Sequence, residues 1–143
     1  MLYEKKRTFG REPIDLTNAA FAVDTAAYVG QAVDAVEANA GTLDYEAENQ
    51  HFPEENTLEV IGWETALSAA KGASIAFVLQ SSADAETWKD EVAFSVAEAE
   101  IVKDELIRRF TIPAQAGRYM RLKATVGGEV FTAGKILALV RPL

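Results

Sequence analysis

Apolar and polar residues alternate with a period of two along much of the second half of the chain. In the clearest run, from Met120 to Val126, every second residue is apolar and the residues between them are Arg, Lys and Thr. This period is typical of a strand with one face in the core and one in solvent. Similar runs predict strands at 58–63, 75–79, 92–96, 106–112 and 136–140. With Met120–Val126, and counting short strands nearer the N-terminus, the chain has at least seven strands.

The first third of the chain has a weaker pattern. Apolar positions between Ile14 and Val23 predict one or two short strands. Residues 1–11 predict an arm or edge strand that can dock through Leu2, Tyr3 and Phe9. Residues 25–56 fit either a short helix or a strand near Val29, followed by a long, polar and acidic surface loop.

The last two strands are separated by Gly127-Gly128, a pair that favours a tight turn. We therefore expect them to form a hairpin within one antiparallel sheet. The spacing of the strands predicts an all-β sandwich. Its core is predicted to contain Phe77, Leu79, Phe94, Phe110, Met120, Leu122 and Ile136.

Composition narrows the class of protein. The length of 143 residues fits one domain, 1–143, and 49% hydrophobic residues are typical of a globular chain. The absence of cysteine excludes a disulfide framework and is compatible with folding in a reducing cytoplasm. We expect neither export nor membrane insertion, because no segment has the apolar length of a signal peptide core or a membrane helix.

The net charge of −8 disfavours nucleic acid and anionic membranes as partners. Residues 12–70 contain 12 acidic residues and no Lys or Arg. This acidic part is either a solvated insertion or a patch that meets a basic surface on a neighbouring subunit. The predicted contact with a partner protein or a neighbouring subunit is a basic N-terminal arm, 1–11, that contains Lys5, Lys6, Arg7 and Arg11.

Motifs for catalysis or cofactor binding are weak. Gly128 and Gly134-Lys135 have the wrong spacing for a phosphate loop, and the context is strand–turn–strand. His51 is the only histidine, and neither it nor the neighbouring glutamates match a metal-binding pattern. The pair Glu98 and Glu100 could act in glycoside chemistry, but such pairs are common in acidic proteins. We therefore predict no enzyme activity, no catalytic residue, no cofactor and no metal.

Four aromatic residues are candidates for a sugar-stacking platform: Trp63, Trp88, Tyr45 and Tyr119. Trp88 closes the segment 79–88, a turn that resembles those of jelly-roll and galactose-binding modules. In such turns the tryptophan usually packs against the turn, so a structural role is the favoured interpretation.

Four motifs in order resemble the small jelly-roll cement, or decoration, proteins of tailed bacteriophage capsids. They are Phe77–Ser82 with Asp84 in the following turn, Phe110–Ala114, Gly117–Leu122 leading to Gly128, and Phe131–Ile136 before the last strand. The resemblance covers roughly residues 57–143. The N-terminal third, with its long acidic insertion, is longer than the usual start of the family.

The resemblance implies an antiparallel jelly roll that is a non-enzymatic component of the virion. Such a protein is made in the host cytoplasm, binds the outside of the capsid and bridges major capsid protein subunits, often as a homodimer or homotrimer. Two other classes of function remain open, a carbohydrate-binding module and a small hydrolase. Exposed, coplanar Trp88 and Tyr119 would favour sugar binding, whereas burial of both would favour a cement protein.

Overall fold

The computed structural model describes residues 8–29, 43–44, 56–112 and 119–142. Nearly all of the regular structure in these ranges is β-strand, with one short 3₁₀ turn at Glu98–Glu100. The strands are, in chain order, β1 (Ile14–Asp15), β2 (Ala26–Val29), β3 (Leu43–Asp44), β4 (Asn56–Ser68), β5 (Ser74–Ser82), β6 (Lys89–Ala97), β7 (Leu106–Thr111), β8 (Tyr119–Gly127) and β9 (Phe131–Pro142).

The strands form two antiparallel sheets. One sheet has the order β1-β9-β4-β7, and the other has the order β2-β8-β5-β6, with β3 pairing along the same strand, β8. If β3 is left out and the other eight strands are numbered 1 to 8 in chain order, the first sheet has the strand order 1-8-3-6. The second sheet then has the order 2-7-4-5. This is the strand order of a jelly roll, so the predicted fold class is confirmed.

The core lies between the two sheets and contains the alternating residues that the sequence predicted to point inward. Phe77 and Leu79 of β5, Met120 and Leu122 of β8, and Ile136 of β9 are at most 1% exposed. Phe94 and Phe110, which were also predicted to point inward, pack against the core but are only partly buried. They lie on β6 and β7, which are the edge strands of their sheets.

A row of three aromatic rings closes the side of the sandwich where the edge strands β6 and β7 lie. The ring of Phe77 stacks on Phe94 with centroids 5.3 Å apart, and Phe94 packs on Phe110 at 4.9 Å. Phe77 and Phe94 belong to one sheet and Phe110 to the other. Because aromatic pairs in this distance range are favourable beyond the area they bury, the row joins the two sheets where their edges would otherwise open.

The last two strands do not form the predicted hairpin, because β8 and β9 lie in opposite sheets. The chain crosses between sheets at Gly128, whose φ of +79° suits glycine. A Cβ at Gly128 would lie 2.3 Å from the backbone oxygen of Gly72, so the turn packs closely against the β4–β5 loop. Glu129 fastens this contact, because its carboxylate accepts hydrogen bonds from the backbone N–H groups of Ala70 (2.8 Å) and Gly72 (3.3 Å).

Thr8 and Phe9 dock on the strand β9. Thr8 forms an isolated bridge with Leu139, and the N–H of Phe9 donates to the carbonyl of Ala138 at 2.9 Å. Phe9 is fully buried, as the sequence predicted. Ile14, on β1, and Phe21 are also buried, so the stretch from Thr8 onward is part of the sandwich. Residues 1–7 of the predicted arm lie outside the described residues.

The strand β4 is longer than the sequence predicted. It continues past Trp63 to Ser68, and its register with β9 shifts at three points between Gly62 and Ser68. Each bulge changes which face a side chain occupies, so the alternation is lost although the strand continues. The loop before β7 lies directly on β4, where the N–H of Gly62 donates to the carbonyl of Glu105 and the N–H of Asp104 donates to the carbonyl of Gly62, both at 2.8 Å.

Candidate interaction surface

The three members of the predicted aromatic platform that the structure describes do not share one surface. Trp63 lies on β4, in one sheet. Tyr119 lies on β8 and Trp88 directly precedes β6, and both of these strands belong to the other sheet. Tyr45 lies outside the described residues. Trp88 and Tyr119 are both half-buried, an arrangement that matches neither of the two expected alternatives. The ring of Trp88 packs on a different partner, Arg121.

Arg121 is held between two aromatic rings on the outer face of the β2-β8-β5-β6 sheet. Its guanidinium carbon lies 4.1 Å from the ring centroid of Tyr28 and 4.1 Å from that of Trp88. Alternation along β8 directs Met120 and Leu122 into the core and Arg121 to the outside. Both contacts lie within the distance at which a cation is attracted to an aromatic face.

A hydrogen-bond chain fixes the orientation of this guanidinium. The Nε–H of Arg121 donates to Oε1 of Gln80 at 2.9 Å, and Nε2 of Gln80 donates to Oδ1 of Asp90 at 2.8 Å. Burial lowers the pKa of Arg121, and the nearby Tyr28 opposes this effect. The group stays protonated at neutral pH because arginine titrates far above it.

The remaining donors of Arg121 are available to a ligand. Within the ranges that the structure describes, its two Nη groups donate no hydrogen bond and no carboxylate lies at ion-pair distance. Lys123 lies two residues further on the same face of β8, opposite Tyr28 in the register of β2 and β8. The face therefore presents two cations and two aromatic rings in a strongly acidic chain.

The opposite sheet has a different outer face. Ile61, Leu137 and Leu139 form a small buried cluster there, against which Trp63 packs. Beside it is a cleft of about 370 Å³, lined by Trp63 and the charged residues Glu64, Lys103, Asp104 and Lys135. An aromatic ring with polar groups around it is chemically suited to a small polar ligand such as a sugar.

The turn after β5 is organised by Asp84. Its Oδ1 accepts hydrogen bonds at 2.9 Å from the N–H of Thr87, the N–H of Glu86 and the hydroxyl of Ser82. These bonds, led by that from Thr87, lower the pKa of Asp84 from 3.8 to about 2. The turn sets the position from which Trp88 reaches Arg121.

Replacing Asp84 with Ala is expected to lower the melting temperature at neutral pH. Because the folded pKa is below the unfolded one, the carboxylate stabilises the fold above pH 3.8, and this contribution disappears as the pH falls to about 2. Thermal melts followed by circular dichroism should show the wild type and Asp84→Ala converging across that interval. Asp84→Asn keeps an acceptor without the charge and serves as the control. A difference between wild type and Asp84→Ala that stays constant with pH would contradict this assignment.

The acidic pair Glu98 and Glu100 has structural partners. Glu98 is buried and accepts a hydrogen bond from the hydroxyl of Ser68. Glu100 forms an ion pair with Arg108, whose hydrogen bond is the main cause that lowers the pKa of Glu100. Each carboxylate is therefore engaged in joining strands and loops.

Of the predicted contact residues, the structure describes only Arg11. It is exposed and lies in a turn with a φ of 60°. Lys5, Lys6 and Arg7 lie outside the described residues, as does His51. Among the residues described, no group of three or more His, Cys, Asp or Glu side chains is arranged to hold a metal ion. The same part of the chain contains no helix that is long and apolar enough to span a membrane.

Comparison with known proteins identifies a family and a fold. The model of the family described as Bbp16 matches residues 28–140. A search of curated protein sequences found no match. Among solved structures, the chain is similar to the PBSX exported protein XepA, with 12% sequence identity and a TM-score of 0.51 over 94% of this chain. The matched region is 38% of the XepA chain. Because the sequence identity is low, this likeness concerns the fold alone. The family match covers most of the sequence, and the chain therefore belongs to the Bbp16 family.

Proposed function

We propose that this chain is a non-enzymatic structural protein of a phage particle. In this proposal it binds the outside of the capsid and bridges neighbouring major capsid protein subunits. The Bbp16 family match and the fold likeness to XepA support a phage-related protein. The finer assignment, to capsid cement, is supported by the motifs that resemble the decoration proteins.

One observation carries the proposal. The segments on which the resemblance depends form strands of a single jelly roll, and they lie within residues 28–140, which match the family. The motif that begins at Phe77 is β5 and its turn, the motif that begins at Phe110 ends β7, and the last two motifs contribute to β8 and β9. Sequence motifs and strand order thus agree at β5, β7, β8 and β9, which come from both sheets.

A cement function fits the physics of a repeated weak contact. A shell offers many equivalent sites, and bridging two subunits makes the second contact intramolecular, so each contact can be weak. A protein that binds only the assembled shell stabilises that shell by linkage. We propose self-association as a homodimer or homotrimer on the capsid surface as part of the same function. The basic arm, Lys5, Lys6, Arg7 and Arg11, remains a predicted contact.

Cosedimentation with phage shells that lack the protein tests this proposal. We expect saturable binding, and we expect shells that already carry the protein to bind little more of it. Decorated shells should also withstand higher temperature than bare shells, because bound protein favours the assembled state. Absence of binding to shells from the cognate phage would refute the proposal.

A carbohydrate-binding module is the second candidate function. The observation that favours it is the cleft beside Trp63, where a ring and four charged side chains surround about 370 Å³. Retention of the protein on immobilised polysaccharide, lost in Trp63→Ala and without any binding to shells, would favour this function over the first. The enzyme alternative has no comparable observation among the described residues.

A further inference from the structure

The outer face of β8 has the composition of a binding hot spot. Arg, Trp and Tyr are the residues most enriched among those that dominate protein–protein binding energies. Here Arg121 lies between Tyr28 and Trp88, and all three are half-buried in the free chain. The three residues come from separate segments, so the cluster depends on the fold and not on a local motif.

The geometry prepares Arg121 to bind an anion. Its Nε–H is bonded to Gln80 and its plane is fixed by the two rings, while the Nη groups have no protein partner among the described residues. A guanidinium that is already ordered loses less entropy when it forms two parallel hydrogen bonds with a carboxylate. The aromatic rings on each side would exclude water from those bonds and strengthen them.

Charge decides which class of anion is expected. The chain carries a net charge of −8, so an extended polyanion such as nucleic acid or an anionic membrane would be repelled. A single carboxylate would meet Arg121 and Lys123 at short range, with the carboxylate of Asp90 held nearby by its hydrogen bond from Gln80. The rings beside Arg121 favour a partner with apolar surface around the charge. These are the properties of an Asp or Glu side chain on a folded protein.

We infer that the surface formed by Tyr28, Trp88, Arg121 and Lys123 is the contact through which this protein binds an Asp or Glu side chain of a capsid subunit. This inference rests on the proposed function and names the site that performs it. It places the main attachment on the outer face of the β2-β8-β5-β6 sheet.

The test compares two arginines on opposite sheets. Arg121→Gln removes the charge and the planar donor pair, and Arg121→Lys keeps the charge alone. Arg109→Gln is the matched control, because Arg109 lies on β7 of the other sheet and donates two hydrogen bonds to Glu59, at 3.1 and 2.9 Å. Melting curves verify that all three variants are folded. The control also reports whether loss of a surface arginine contact is by itself enough to reduce binding.

In cosedimentation with bare shells, Arg121→Gln is expected to raise the apparent Kd by about 30-fold, the size typical of a hot-spot residue. Arg121→Lys should fall between Arg121→Gln and wild type, and Arg109→Gln should bind like wild type. Added salt should weaken the wild type more than Arg121→Gln, because only the wild type has the full ion pair to screen. A purely structural role for Arg121 would not change the salt dependence.

The outcomes separate the two claims. If the wild type does not bind shells, the proposed function fails and this inference fails with it. If the wild type binds and Arg121→Gln binds equally well, only the inference is overturned. Sedimentation velocity of the free proteins gives the third outcome: if Arg121→Gln disrupts self-association and leaves shell binding intact, the surface joins copies of this chain and the inference of a capsid carboxylate is wrong.

Discussion

Replacing Phe77 with alanine is expected to lower the free energy of unfolding by about 3–5 kcal/mol. Phe77 is 1% exposed and begins the aromatic row that continues through Phe94 to Phe110 on the other sheet. The substitution leaves a cavity and removes the ring contact that holds Phe94 at the edge. Urea unfolding monitored by circular dichroism measures the effect as a lower midpoint with an unchanged slope.

Leu106→Ala is the control for this experiment. Leu106 lies on β7, as Phe110 does, but half of its surface is exposed. We expect its replacement to change the free energy of unfolding by roughly 0.5 kcal/mol or less. Equal effects of Phe77→Ala and Leu106→Ala would contradict the position of the core between the two sheets.

Gly62→Ala is expected to be the second large perturbation, at about 3 kcal/mol. A Cβ at Gly62 would lie 2.0 Å from the backbone oxygen of Val102 and 2.7 Å from its carbonyl carbon. These atoms belong to a loop that exchanges two backbone hydrogen bonds with Gly62, so the loop cannot move away without losing them. The same urea titration measures the change in the free energy of unfolding.

The chain offers a matched glycine for comparison. A Cβ at Gly72 would meet no heavy atom within 4 Å, although Gly72 also lies in a loop beside β4. Gly72→Ala should be neutral or stabilising by up to about 1 kcal/mol, because alanine reduces the freedom of the unfolded chain. A mild effect of Gly62→Ala, similar to that of Gly72→Ala, would show that the loop before β7 does not pack on β4 as described.

The alternation of apolar residues was sufficient to predict the central strands and their inward faces. It worked for β5 and β8 because both are central in their sheet, so each inward residue is covered on all sides. Phe94 and Phe110 were also predicted to point inward and they pack against the core, but they lie on edge strands and stay partly exposed. Alternation indicates which face a residue is on, whereas strand order determines how much of that face is covered.

Two predictions, the hairpin between β8 and β9 and the length of β4, were wrong because contacts distant in sequence determine both features. A pair of glycines between two alternating runs favours a hairpin, and nothing local indicates that Gly128 carries the chain to the other sheet. The contact that fixes this crossing is with Gly72, more than fifty residues earlier. The predicted strand at 58–63 was shorter than β4 for a related reason. Bulges in the pairing of β4 with β9 interrupt the alternation of β4 after Gly62.

The candidate site was only partly accessible from the sequence. Alternation indicates that Arg121 points outward, and the turn pattern of residues 79–88 favours a structural role for Trp88. The partner of Trp88 could not be inferred, because the stack requires β2, β8 and the β5–β6 turn to lie side by side. A sequence signal that could indicate such a cluster is an arginine on the outer face of a central strand, with aromatic residues near the ends of the flanking strands.

Cryo-electron microscopy of shells with and without the protein tests the central claim most directly. If the chain is a capsid cement protein, difference density for one jelly roll per binding site should appear on the outside of the shell. Each copy should contact two neighbouring capsid subunits, and the outer face of β8 should face one of them. Density inside the shell, density that touches only one subunit, or no density on shells incubated with saturating protein would contradict the account.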